Sequence, residues 1–199
     1  MKKALMIVSV LFMAVISTAC INNIAIQELN NKAAEYMQKG DYDAAISRLQ
    51  ASLDLDSSMY ETYYNLGVAA IKAKKYDIAI DALQKGIKIN AGYPNFYYSL
   101  GLAQFSLADE YLGLDDENEE VVESNENTTK ETKVISDSDK EKALKLKQLS
   151  ILTLQKYINM QPNAEDKDSV NEMIEAAQKF IDQDKPEANN TDTTKETAQ

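Results

Sequence analysis

Reactive side chains are scarce in this chain, and its one thiol, Cys20, closes the stretch MKKALMIVSVLFMAVISTAC. There Lys2 and Lys3 precede an apolar run from Ala4 to Ile16, and the small residues Ser17, Thr18 and Ala19 follow it. A basic start, an apolar centre and a small-residue end are the parts of a secretory signal, so residues 1–19 are expected to be removed and take no part in the fold. The run is shorter than the ~20 apolar residues that a spanning helix needs. As the sole Cys, Cys20 can form no internal disulfide. The chain has no His, which removes a His-dependent serine triad, a Cys-His dyad and a Cys/His zinc site from consideration.

A Cys directly after such a signal resembles the lipobox of bacterial lipoproteins. That resemblance implies cleavage after Ala19, lipid on Cys20, and attachment to a membrane of the bacterial cell envelope, facing the periplasm or the exterior. Charge supports the acyl chains as the anchor. With 21 Lys and Arg against 32 Asp and Glu the net charge is −11, and loss of Lys2 and Lys3 would make it −13. Such a surface repels nucleic acid and anionic headgroups alike.

An enzyme would have to work with carboxylates, Lys or Tyr, and the spacing of the carboxylates argues against catalysis. Asp115 to Glu126 lacks the alternating oxygen ligands and central Gly of a calcium loop. Paired carboxylates for glycoside cleavage need rigid facing placement, which a flexible acidic run does not supply. The expectation is a protein that is not an enzyme and takes no cofactor.

The elements that would position any site repeat. Tyr42, Asp43, Ala45, Ile46, Leu49 and Leu53 return as Tyr76, Asp77, Ala79, Ile80, Leu83 and Ile87, all at the one offset that carries position 42 to position 76. A fixed period of that size marks stacked supersecondary units that finish each other's core. Helical spacing of apolar residues places helices over Ile24–Gln38, Tyr42–Leu55, about Met59–Ala73 and Tyr76–Ile89, with a third pair beginning at Pro94. The stretch YYNLGVAAIKAKKYDIAIDALQKGIKIN closely resembles the tetratricopeptide repeat, with Tyr63, Leu66, Gly67, Ala70, Ala79 and Leu83 at its framework positions. The fold class expected is all-α, a short solenoid of about three helical hairpins.

In the third copy Tyr97, Leu100 and Gly101 keep the period, but the second-helix signature Leu83, Gln84, Lys85 and Ile87 does not return near position 117, where the period would put it. It returns only as Leu154, Gln155, Lys156 and Ile158. The third hairpin therefore carries an insertion longer than one repeat. Tyr111, Leu112 and Leu114 are expected to prolong its first helix, and Ala143, Leu144, Leu146 and Leu149 its second. Between them an acidic, Asn/Ser/Thr-rich insertion, about 115–138, reads as disordered. Val170, Met173, Ile174, Ala177, Phe180 and Ile181 form one stripe of a C-terminal capping helix. The helical domain then spans 24–183, after a lipidated tether at 20–23 and before a disordered tail at 184–199.

The family resemblance implies that the first helix of each hairpin lines a concave groove holding a protein or peptide partner. Its positions here are Asn30, Ala34 and Met37, then Glu61, Tyr64, Val68, Ile71 and Lys72, then Asn95, Tyr98, Leu102 and Phe105. Of these Tyr64, Val68, Ile71, Lys72, Tyr98, Leu102 and Phe105 are the expected partner contacts, with Tyr64 and Tyr98 part-exposed beside buried Tyr63 and Tyr97. Members that clamp a peptide carboxyl terminus use cations on the first and third lining helices. Asn30 and Ala34, Asn65, and Asn95 and Ser99 supply none. The expected function is a lipid-anchored envelope adaptor or assembly factor. The alternative is a structural subunit that self-associates through the same groove.

Overall fold

The computed structural model describes residues 23–114 and 135–184, and among them all regular structure is helical. Helix α1 runs over 23–38, α2 over Tyr42–Leu55, α3 over Tyr60–Lys72, α4 over Tyr76–Ile89, α5 over Asn95–Tyr111, α6 over Asp137–Met160 and α7 over Lys167–Gln183. The expected signal, Cys20, the insertion over 115–134 and the tail from 185 lie outside the described residues.

Turn chemistry cuts the chain where the sequence expects. Gly40 ends α1 at φ 75°, and Asp41 then caps α2 by accepting a 3.1 Å bond from the Ala44 amide. The matching position before α4 is Lys74, which takes φ 55° without being glycine. Asp56 accepts from both the amide and the hydroxyl of Ser58, at 2.8 and 2.6 Å, turning the chain into α3. Those bonds hold its carboxyl below the usual range.

Consecutive helices pair and stack. One core runs from Ala33 of α1 through Leu49, Leu66 and Leu83 to Phe96 and Leu100 of α5. It depends on close approach within each hairpin. A Cβ added to Gly67 would sit 2.5 Å from Cγ of Leu83, and one on Gly101 would sit 2.6 Å from Cγ of Leu154. The two glycines are one repeat apart on the first helices, yet their leucine partners are separated by a repeat plus the insertion, so the same contact is kept across the extra chain. Gly86 similarly clears space for the fully buried ring of Phe96, while one repeat earlier the equivalent pair is Ser52 and Thr62, both buried.

The third hairpin corrects two expectations, the extent of α5 and the edge of the insertion. Leu114 lies beyond the end of α5 and is 57% exposed, whereas Leu149 lies on α6 as expected, on its exposed side. Helix α6 turns Ala143, Lys147, Ser150 and Leu154 inward instead, a stripe at i, i+4, i+7 and i+11. A lysine can occupy that stripe because its Nζ lies 2.6 Å from Asp109 Oδ1 and over the face of Phe105. The boundary of the insertion also moves, since Ser136 caps α6 by accepting from the Asp139 amide and residues 137–138 are helical.

Helix α7 covers the end. Val170 and Ala177 are buried, Val170 packs with Leu154 and Tyr157, and Phe180 reaches the small cluster of Ala108, Leu112 and Ala143. Lys140 of α6 pairs with Asp184 just past α7. The most extensive interface is α5 on α6, so the lengthened hairpin is itself a packed unit.

Removing Lys147 strands the partly buried Asp109. The Lys147→Ala variant should lose about 3–5 kcal/mol of stability in denaturant unfolding, whereas the double Lys147→Met, Asp109→Leu variant should recover most of it.

Candidate functional site

The helices α1 and α3 diverge enough to leave a cleft of about 260 Å³, with Leu49 of α2 at its floor. Ala33, Ala34 and Met37 come from α1 and Tyr64, Asn65 and Val68 from α3. Ala34 is small and exposed, and the cleft opens there. At one edge Asn30 donates through Nδ2 to the Thr62 hydroxyl at 3.3 Å, tying the two helices, while its carbonyl oxygen is buried without a partner. Cation and anion are both absent from the lining. The cleft can therefore take an apolar side chain and offer neutral amides to the chain that carries it.

Tyr64 belongs to an aromatic cluster as well as to the cleft. Its ring stands edge-on to Tyr93 at 5.2 Å and to Phe96 at 5.7 Å, and Tyr60 packs on the far side of both. Burial pushes its hydroxyl pKa up, with hydrogen bonding by Ser99 acting the other way. The phenol accordingly remains a neutral hydrogen-bonding group at the cleft.

The structure spreads the expected contact residues over several environments. Tyr64 and Val68 line the cleft. Ile71, one turn on, packs partly into the main core, and Lys72 is exposed in the last turn of α3. Tyr98 packs on Tyr157 with ring centres 5.4 Å apart. Leu102 is half-buried on α5, and Phe105, also half-buried, lies under Lys147. Exposure does not separate framework from contact tyrosines as expected, since Tyr63, Tyr64, Tyr97 and Tyr98 are all half-buried. Tyr97 is held by donation to the Ala91 carbonyl, and Tyr63 faces a groove on another side of α3. Asn65, read in the sequence as a clamp position, also lines the cleft, and the floor residue Leu49 is a cleft residue that the repeat pattern hides within the core stripe.

Among the described residues no group of three or more Cys, His, Asp or Glu is placed to hold a metal, and no helix is long and apolar enough to cross a membrane.

Residues 30–95, which include all of the cleft, match the family model described as the tetratricopeptide repeat. Solved structures agree along most of the chain. The TPR domain of Arabidopsis OM64 superposes with a TM-score of 0.55 at 11% identity, over 79% of this chain and 98% of that one. The first TPR of Spaghetti (RPAP3), bound to HSP90 peptide SRMEEVD, gives 0.54 at 17% identity over 77% and 93%. The fold is a tetratricopeptide-type solenoid. The Yersinia enterocolitica type III secretion chaperone SycD, in complex with a peptide of the translocator YopD, gives 0.52 at 17% identity over 76% and 91%. At these identities the likeness is one of fold. A comparison with curated proteins returns no match.

At the other end of the solenoid's inner face, Tyr157 donates a 2.8 Å bond to Asp166 and backs Tyr98. Burial, with Asp166 adding to it, pushes the Tyr157 phenol up to about 12 from 10.0. The raised value means that the folded state favours the neutral phenol. Its contribution is complete below pH ~10 and is lost as pH rises from about 10 to about 12. Thermal unfolding followed across that window should show a steeper alkaline fall for the wild-type chain than for Tyr157→Phe.

Proposed function

We propose that this protein is a lipid-anchored adaptor of the bacterial cell envelope, holding a segment of another protein in the cleft between α1 and α3. The observation that carries the reading is the cleft itself, about 260 Å³, apolar, and lined by the helices that begin successive hairpins. Peptide complexes of similarly folded domains, with an HSP90 peptide and with a YopD peptide, support a peptide as occupant. The occupant here differs in chemistry from a clamped carboxyl terminus. Asn30, Asn65, Asn95 and Ser99 bring no cation to the inner face, so an apolar anchor side chain supplies the affinity and amide hydrogen bonds set its direction.

The anchor belongs to the same proposal. Cys20 lies three residues before residue 23, where the described part of α1 begins, so a lipid on it would tether the solenoid within ~10 Å of the bilayer. Several acyl chains on one residue anchor firmly where a single chain binds only marginally. The acidic surface keeps the domain off anionic headgroups and leaves the cleft open to partners.

Filling the cleft tests the binding reading. Ala34→Trp places a large ring in the opening at an exposed position, so helicity and melting should stay near wild type. Recovery of partners from envelope extracts should fall at least ~10-fold, the loss of about 1.4 kcal/mol. Unchanged recovery by the folded variant would move the site elsewhere.

Intact-mass measurement tests the anchor separately. A mature chain starting at Cys20 and carrying acyl mass is expected, and Cys20→Ala should appear as an uncleaved or released, unacylated product.

A further inference from the structure

Two surfaces away from the cleft are complementary to each other. The first is a groove of about 520 Å³ between α2, α3 and α4. Leu53, Tyr63, Leu66 and Ile78 form its apolar wall, and Asp54, Asp77 and Asp81 stand on its rim. Lys85 neutralises Asp81 at 2.7 Å. Among the described residues Asp54 and Asp77 have no cation partner, and Asp54 occupies the last turn of α2, where the helix dipole disfavours a carboxylate and no basic residue offsets it. The groove is thus an apolar trough that favours positive charge.

The second surface is the outward side of α6. Lys145, Leu149, Leu152 and Lys156 fall at i, i+4, i+7 and i+11, one stripe opposite the inward Ala143, Lys147, Ser150 and Leu154. Leu149 is 39% and Leu152 64% exposed, and α6 packs on α5 and α7 through its other side. Neither Lys145 nor Lys156 pairs with a carboxylate among the described residues, although Lys156 lies 5.8 Å from the ring centre of Tyr97. The stripe is basic and apolar on a chain with a net charge of −11.

Charge decides what can cover these surfaces. Two stripes meeting about a two-fold axis would bring lysine to lysine, and two grooves would bring aspartate to aspartate. Stripe against groove sets the two leucines on the apolar wall and the lysines, ~16 Å apart along α6, toward the aspartate rim. We propose that α6 of one copy docks into the α2–α3–α4 groove of a second copy. The contact is head-to-tail, so each copy keeps a free stripe or a free groove and assembly continues beyond a dimer. It leaves the α1–α3 cleft uncovered, and so it is independent of the adaptor reading.

Sedimentation of the full chain in density-matched detergent tests this. The wild-type mass should rise with concentration past that of two chains, and should fall back at ~1 M ionic strength, where screening acts within about 3 Å. Two variants should each sediment as one chain, Leu149→Glu with Leu152→Glu in the stripe, and Asp54→Lys with Asp77→Lys in the groove. Mixed one to one, they should form a heterodimer and nothing larger, because one retains a working groove and the other a working stripe. A wild-type chain that stays single at all concentrations overturns the proposal, as does a mixture without heterodimer. So does a stripe that binds phosphatidylserine vesicles in a wild-type chain that does not self-associate.

Discussion

Close approach of the two helices within a hairpin is the constraint from which the rest of this structure follows. At Gly67 and Gly101 there is no room for even a methyl group, because Leu83 and Leu154 fill the space where a Cβ would stand. Packed this tightly, each hairpin exposes the far side of its helices at a set angle to the next, and Gly86 lets Phe96 carry the core onward from the second hairpin to the third. The cleft between α1 and α3, the groove between α2, α3 and α4, and the outward stripe of α6 are all spaces and faces left over by that stacking.

The lengthened third hairpin shows how a solenoid of this size closes its end. A terminal hairpin has no following neighbour, so its second helix needs another cover. Here α7 supplies it through Val170 and Ala177, and the extension of α5 and α6 adds a small core of Ala108, Leu112 and Ala143 under Phe180. The Lys147–Asp109 pair at the junction settles the rotation of α6 about its own axis. With Lys147 directed inward, Leu149 and Leu152 are left outside. A buried charge thereby determines which apolar residues remain available at the surface.

The surfaces that result differ in chemistry. The cleft is small, neutral and apolar, suited to a single anchoring side chain with amide recognition. The groove is larger, with an apolar wall under an acidic rim, suited to a whole basic, apolar helical stripe. An adaptor that binds a client through one and its own copies through the other would present clients in an array. The positions that carry a carboxylate clamp in other members are here Asn30, Ala34, Asn65, Asn95 and Ser99, none of them a cation.

Much of this was legible in the residues. The repeat period located the first four helices closely, since apolar spacing and turn residues such as Gly40 act locally. The displaced Leu154, Gln155, Lys156 and Ile158 revealed the insertion, because framework residues must meet the same partners in every copy. Which apolar residues of α6 face the core was not legible: a stripe containing Lys147 is indistinguishable from a solvent face until Asp109 and Phe105 are brought to it from the far side of the insertion. The environments of the tyrosines were hidden for the same reason, as Tyr64 is half-covered by Tyr93 and Phe96 from the next hairpin and Tyr98 by Tyr157 from beyond the insertion. By itself the sequence determined the helices, their pairing and their repeat, all of which rest on local preference and periodicity. Only the tertiary structure decided where stacking leaves a cleft and which charges are buried, because those depend on contacts between residues that no period relates.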